Sequence, residues 1–160
     1  MTIEHKNITD AERHEPKGAS TAANGTVYVS NGAGSGAWSD NTAYIKNANK
    51  LTLNVDFSDI SSPDSVFVVC PVAGKIQTVY VTLHNAITVA NSIVTAKIAG
   101  VAVGGFSLTI TQAGSAAGST FSASPASANT VTAGQAIEII TDGGSTTTCQ
   151  ATVTILVNTA

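Results

Sequence analysis

A strict alternation of apolar and polar residues constrains this chain most, and it recurs throughout the sequence after residue 50. Residues 51–57 alternate in this way, and the same period of two returns in residues 75–85, 106–111 and 151–157. A period of two places successive side chains on opposite faces of a β-strand, whereas an amphipathic helix needs a period near 3.6. Since no helical pattern of useful length interrupts the alternation, the sequence predicts an all-β body.

Turn signals divide this body into about eight short strands, which predicts an antiparallel β-sandwich of jelly-roll type. The turns lie at residues 71–74, 99–100 and 142–145, and one weak strand is expected around residues 119–122. The uninterrupted apolar run at residues 65–70 predicts a strand covered on both faces. The alternation assigns the following core residues: Leu53, Val55, Val79, Val81, Phe106, Leu108, Ile137, Ile139, Val153 and Ile155.

The N-terminal third differs from the body. Residues 1–25 show no sustained period and are interpreted as an arm, with one short helix expected around residues 9–13 and a break at Pro16. Residues 26–46 predict an extended hairpin whose glycine-rich turn spans residues 31–36. We therefore divide the chain into an N-terminal arm and hairpin at residues 1–49 and a sandwich at residues 50–160.

Charge is scarce and unevenly distributed. Charged residues make up 11% of the chain and the net charge is −3, which argues against a nucleic-acid partner because phosphate binding needs a basic surface. No run approaches the roughly 20 apolar residues that span a bilayer. The N-terminus shows no apolar signal region, so we expect synthesis in a cytoplasm and no membrane partner. To stay soluble and avoid edge-to-edge association, a nearly uncharged sandwich needs exposed Ser and Thr side chains and self-assembly that covers its strand edges.

Residues that resemble catalytic or binding motifs lack the required pattern. The glycines at residues 32–36 are not followed by the Lys-Ser/Thr of a phosphate-binding loop, and a glycine turn is favoured. The three histidines are far apart in sequence, and His84 is interpreted as a half-exposed polar residue. Asp56, Asp59 and Asp64 could supply oxygen ligands to Ca²⁺, but solvated carboxylates are favoured. The sequence therefore predicts no enzyme, no cofactor and no metal site.

The two cysteines, Cys70 and Cys149, leave two alternatives. A disulfide across the sandwich is conceivable, but two buried thiols are favoured because a cytoplasm keeps thiols reduced.

Several short segments of the chain together form a recognisable series. The more specific part is the N-terminal series of residues 14–18 (HEPKG), 20–23 (STAA), 25–28 (GTVY) and 32–38 (GAGSGAW). In the body, the relevant stretches are residues 70–76 (CPVAGKI), 97–103 (KIAGVAV), 131–137 (VTAGQAI) and 141–144 (TDGG). These segments resemble the small head decoration proteins of tailed bacteriophages, and the resemblance covers most of the chain. It implies a virion structural protein, also called a cement protein, that binds the outer surface of a capsid shell, commonly as a homotrimer.

This resemblance implies the major capsid protein as partner and the virion surface as location, and it agrees with the arm as the attachment element. A segment of mixed charge gains order and register on binding, and rigid aromatic side chains dominate interface energetics. The expected capsid-binding residues are His14, Glu15, Pro16, Lys17, Gly18, Tyr28 and Trp38. The alternatives are a receptor- or glycan-binding knob of a phage head or tail fibre and, with fewer candidate residues, a wall hydrolase.

Overall fold

A computed structural model of the protein describes residues 22–30, 32–33, 36–40 and 49–159. Every element of regular structure in these ranges is a β-strand, so the all-β prediction is confirmed for them. The chain divides into two compact units, with the boundary between Ala48 and Asn49. The helix expected around residues 9–13 lies outside the described residues.

The N-terminal unit contains an antiparallel hairpin. Strand β1 spans Thr26–Ser30 and strand β2 spans Gly36–Asp40, so the hairpin predicted from the alternation and the glycine-rich turn is confirmed. The two strands pair along their full length, from Thr26 opposite Asp40 to Ser30 opposite Gly36.

The second unit holds two antiparallel sheets. Its strands are β3 (Lys50–Phe57), β4 (Asp64–Val69), β5 (Gly74–Leu83), β6 (Ser92–Ile98), β7 (Val101–Ala102), β8 (Leu108–Ile110), β9 (Thr120–Ala123), β10 (Thr130–Val131), β11 (Ala136–Thr141) and β12 (Ala151–Thr159). The first sheet has the order β3-β12-β5, and β10 and β9 pair with successive parts of the free side of β5. The second sheet has the order β4-β11-β6, and β7 and β8 share the free side of β6 in the same way.

The two sheets enclose one apolar core, which is the arrangement of a β-sandwich. Nine of the ten core residues predicted from the alternation are buried. The exception is Val55, which is half-buried because β3 is the edge strand of the first sheet. The turn predicted at residues 99–100 is also present, and Ala99 and Gly100 both adopt positive φ there.

The prediction that residues 65–70 form a strand covered on both faces is wrong. Strand β4 lies at the edge of the second sheet, where Phe67 and Val69 remain 62% and 57% exposed. Val66 and Val68, which alternate with them, pack against the core. The run is apolar on both faces of the strand, although only one face is covered. Periodicity cannot distinguish such a strand from one that is covered on both faces.

Four connections meet at one end of the sandwich and are hydrogen-bonded to each other. The N–H of Ile60 donates to Cys149 O (2.8 Å) and that of Ile87 to Ser115 Oγ (3.1 Å), and the N–H of Thr88 donates to Ser145 Oγ (3.1 Å). At the opposite end, the N–H of Thr159 donates to Asn49 O (2.6 Å). Asn49, the first described residue of the body, therefore lies at the end away from the four connections.

Candidate interaction site

The hairpin brings its two aromatic residues together. Tyr28 lies directly opposite Trp38 in the β1–β2 register, and their ring centroids are 5.5 Å apart at an interplanar angle of 66°. This edge-to-face geometry suits the quadrupoles of the two rings and is one of the preferred arrangements of aromatic pairs. Both side chains are half-buried, so the pair combines a defined orientation with accessible aromatic surface.

Gly36 provides the space next to this pair. A Cβ atom at residue 36 would collide with the carbonyl of Val29 and lie 2.9 Å from Cε1 of Tyr28. The absence of a side chain therefore allows the Tyr28 ring to lie close to the backbone of β2. This close approach gives the glycine before Ala37 and Trp38 a structural role that the sequence motif alone did not reveal.

The predicted attachment residues are only partly covered by the structure. His14, Glu15, Pro16, Lys17 and Gly18 lie outside the described residues, so their proposed role stays a prediction. The structure brings the remaining two predicted residues into direct contact, although nine residues separate them in sequence. The hairpin register decides this contact, and the sequence signal for the hairpin was its glycine-rich turn.

A second candidate feature is a polar cleft in the body, which the sequence analysis missed. It measures about 420 Å³ and is lined by Asp56, Phe57, Ser58, His84, Gln150, Ala151 and Thr152. His84 Nε2 lies 3.1 Å from Thr152 Oγ1, within hydrogen-bonding distance. Asp56 and Phe57 belong to β3, Ala151 and Thr152 belong to β12, and the other lining residues directly follow or precede the neighbouring strands β3, β5 and β12. Only the strand order therefore brings these residues together. A carboxylate, an amide, an imidazole and two hydroxyls can together hydrogen-bond a polyhydroxylated ligand.

The three aspartates that were considered as a calcium site have separate roles. Asp56 lines the cleft, Asp64 accepts a hydrogen bond from the N–H of Ser65 (2.8 Å), and Asp59 lies between two connections. Within the part of the chain that the structure describes, no group of three or more His, Cys, Asp or Glu side chains is placed to hold a metal ion.

The carboxylate of Asp59 joins the β3–β4 and β11–β12 connections. Its Oδ1 accepts hydrogen bonds from Ser61 Oγ (2.6 Å), from the N–H of Ser61 (2.9 Å) and from the N–H of Cys149 (3.1 Å). The Ser61 hydroxyl and then the two N–H groups hold the pKa of Asp59 below its ordinary value of 3.8, although desolvation opposes them. The ionised carboxylate therefore stabilises the folded state.

We expect the Asp59 contacts to produce a measurable acid sensitivity. Because the native pKa is lowered, their contribution is complete above the ordinary pKa and is lost as the pH falls through the native value, below about pH 4. Asp59→Asn should lower the free energy of unfolding at neutral pH by about 1 kcal/mol and flatten the dependence of Tm on pH in this range.

Thermal unfolding between pH 2 and pH 7 checks this expectation. Ser61→Ala removes the strongest of the three contacts and should give an intermediate profile. A pH profile for Asp59→Asn that parallels that of the unmodified protein would show that another group causes the acid sensitivity.

Both cysteines are free and buried, so the disulfide alternative is excluded and the favoured one, two buried thiols, is correct. Cys70 Sγ lies 3.1 Å from Val72 O, and Cys149 Sγ lies 3.2 Å from Asn85 O. These contacts lie at opposite ends of the sandwich, next to the β4–β5 connection and the four-connection end respectively.

Among the described residues, no helix has the length and apolar character needed to cross a membrane.

Comparisons with known proteins do not assign the chain to a family. No protein-family model matches the sequence, and no curated protein shows significant similarity to it.

Proposed function

We propose that this protein decorates the outer surface of a phage capsid shell and is attached to the major capsid protein through its N-terminal arm and hairpin. The observation that carries this proposal is the edge-to-face pair of Tyr28 and Trp38 on a two-stranded hairpin. An isolated two-stranded hairpin is only marginally stable in water, so it gains stability from a partner surface. Aromatic residues held in a defined orientation are the side chains that dominate such contacts.

The chemistry of the body supports a role as an exposed knob. The outer face of the first sheet carries hydroxyl and amide groups that bond to one another across the strands: Thr82 with Thr120 (3.1 Å), Thr78 with Ser124 (3.2 Å) and Thr154 with Asn54 (2.8 Å). Such a face remains hydrated with few charges. The sheet orders β3-β12-β5-β9/β10 and β4-β11-β6-β7/β8 support the proposal that the sandwich is a jelly roll.

Self-association is part of the proposal. The resemblance to decoration proteins implies a trimer, and a threefold oligomer would match the threefold positions of an icosahedral shell.

The attachment surface can be tested with Trp38→Ala. We expect this change to weaken binding to undecorated shells by at least ~2 kcal/mol, a factor of roughly 30 in Kd, because it removes a large anchor. Lys17→Ala should cost less, and its effect should shrink at high salt because an exposed charge is screened. Co-sedimentation with shells assembled from the major capsid protein measures both effects.

The matched control is Val27→Thr. Val27 lies on the other face of the hairpin, opposite Ser39. Valine and its replacement, threonine, are both β-branched, and β-branched residues favour strands. Trp38→Phe keeps an aromatic ring and should recover part of the binding lost in Trp38→Ala. Equal binding by Trp38→Ala and Val27→Thr would exclude the aromatic pair as an anchor.

The polar cleft favours a second candidate function, a glycan-binding knob on a phage head or tail fibre. Its carboxylate, imidazole and amide groups could bond to sugar hydroxyls, and Gln150 is an exposed member of the lining. Binding of the full chain on a glycan array, lost in Gln150→Ala and retained in Trp38→Ala, would favour this function over capsid attachment.

A further inference from the structure

The two lateral sides of the sandwich differ in how their strand edges are protected. On one side, the edge of each sheet consists of two short, separate strands: β9 and β10 in the first sheet, and β7 and β8 in the second. On the other side, β3 and β4 lie next to each other and are continuous strands of eight and six residues. Continuous open edges are templates for pairing with another strand, and proteins usually protect them. The side formed by β3 and β4 is therefore where association through backbone hydrogen bonds can occur.

The backbone groups that face outward on β3 follow from its pairing with β12. Asn49 O accepts a hydrogen bond from the N–H of Thr159, so the carbonyl of residue 49 points toward β12. Because antiparallel strands direct alternate residues to alternate sides, the N–H and C=O groups of residues 50, 52, 54 and 56 point to the open edge. No strand in the described ranges pairs with this edge.

The side chains of the same four residues are exposed on the outer face of the sheet. Lys50 and Asp56 stand near the two ends of the strand, and neither has an ion-pair partner within the described residues. Asn54 accepts a hydrogen bond from Thr154 Oγ1 through its Oδ1 atom (2.8 Å), which leaves its amide N–H₂ group able to donate. The inner face contributes Leu51 and Val55, which are only half-buried at this edge.

Strand β3 is chemically self-complementary about Leu53. If an identical strand runs antiparallel to it about a twofold axis at Leu53, Lys50 lies opposite Asp56 of the other copy, and Thr52 lies opposite Asn54. On the inner face, Leu51 lies opposite Val55 and Leu53 lies opposite itself. Each cross-strand pair then matches cation with anion, hydroxyl with amide, or apolar with apolar, and such pairs stabilise sheets. Moving the axis to Asn54 would place Lys50 opposite Ser58 and remove both charge pairs.

We propose that β3 is a self-association strand, and that two copies of this chain pair antiparallel through β3 in the register centred on Leu53. The first sheet then continues across the twofold axis from one copy into the other. The partner is a second copy because the complementary groups all belong to the same strand. The low charge of the body permits two copies to approach each other, because residues 51–160 carry only two lysines and five acidic residues.

This inference rests on the proposed function only in treating self-association as part of it, and it makes no use of the hairpin or of capsid attachment. A twofold contact joins copies in pairs. Together with the threefold contact of the proposed function it would give six copies in a closed assembly of dihedral symmetry.

Charge reversal at Lys50 and Asp56 tests the register in the full chain by sedimentation equilibrium at micromolar concentrations. We expect the unmodified protein to sediment as two copies, or as six when the threefold contact also forms. Lys50→Glu and Asp56→Lys should each weaken the pairwise contact by about tenfold, because symmetry turns two attractive pairs into two repulsive ones. The double variant, Lys50→Glu with Asp56→Lys, restores both opposite-charge pairs and should recover most of the affinity.

Lys75→Glu is the matched control, because it changes the net charge as Lys50→Glu does but lies on β5, away from the open edge. Thr52→Pro gives a second test that does not depend on charge. It removes an N–H group that points to the open edge, where proline is tolerated, and should abolish pairing while cooperative thermal unfolding persists.

Four results would overturn the proposal. The unmodified protein could stay a monomer at all concentrations or sediment as three copies, Lys75→Glu could weaken the contact as much as Lys50→Glu, or the double variant could be as weak as its parents. The binding of Trp38→Ala to shells reports on the proposed function separately. Failure of β3 pairing and failure of capsid attachment are therefore distinguishable.

Discussion

Deletion of residues 1–45 is expected to leave a folded body that no longer co-sediments with undecorated shells. The two sheets enclose a complete apolar core within residues 49–159, so the body should fold without the N-terminal unit. The proposed attachment residues are all removed, and we expect the affinity for shells to fall by at least 100-fold, more than for any single substitution.

The measurements are co-sedimentation with shells and far-UV circular dichroism of the truncated chain. Its spectrum should show strands and a cooperative thermal transition, which separates loss of attachment from loss of folding. The Val27→Thr variant of the full chain serves as the binding-competent reference. Stoichiometric binding by the truncated body would contradict the proposal, and the contact surface would then lie on the sandwich.

Ile155→Ala should cause the largest loss of stability among simple core truncations of β12. Ile155 is fully buried in the middle of that strand, between Leu53 of β3 and Val79 of β5. Truncation of a buried isoleucine to alanine leaves a cavity and costs about 2–5 kcal/mol. For a body of this size, that corresponds to a decrease in Tm of roughly 10 °C or more.

Leu156→Ala is the control for this substitution, because Leu156 is the next residue on the same strand and is half-buried on the opposite face. It should cost about 1 kcal/mol, since less apolar surface leaves water on folding. Denaturant unfolding of both variants gives the comparison. Equal losses for Ile155→Ala and Leu156→Ala would contradict the assignment of the inner face of β12.

The sequence alone predicted most of the core because alternation reports directly which side chains share a face. It was wrong at β4, where apolar residues occupy both faces of an edge strand and the exposed Phe67 resembles a core residue. The weak strand expected around residues 119–122 is confirmed as β9, whereas the short strand β10 was not predicted. A strand of two residues is too short to show a period.

The candidate sites depended on tertiary structure to a greater extent. Residue types identified Tyr28 and Trp38 as anchors, but the hairpin register determined that their rings touch. The cleft near His84 and Thr152 had no local signal, because these two residues are 68 positions apart and meet only through the pairing of β12 with β5. The role of Asp59 likewise required Cys149, ninety residues away, to be placed beside it.

By itself, the sequence determined the all-β class, the inward parity of the strands, the hairpin and the scarcity of charge. These are local properties that side-chain chemistry and a period of two express within a few residues. Only the tertiary structure decided which strands lie at the edges of the sheets and which residues face each other across them. Strand order depends on contacts between distant segments, and the free energy of those contacts is not encoded in any single segment. For this reason the open edge of β3, with Lys50 and Asp56 near its ends, became recognisable only in the folded chain.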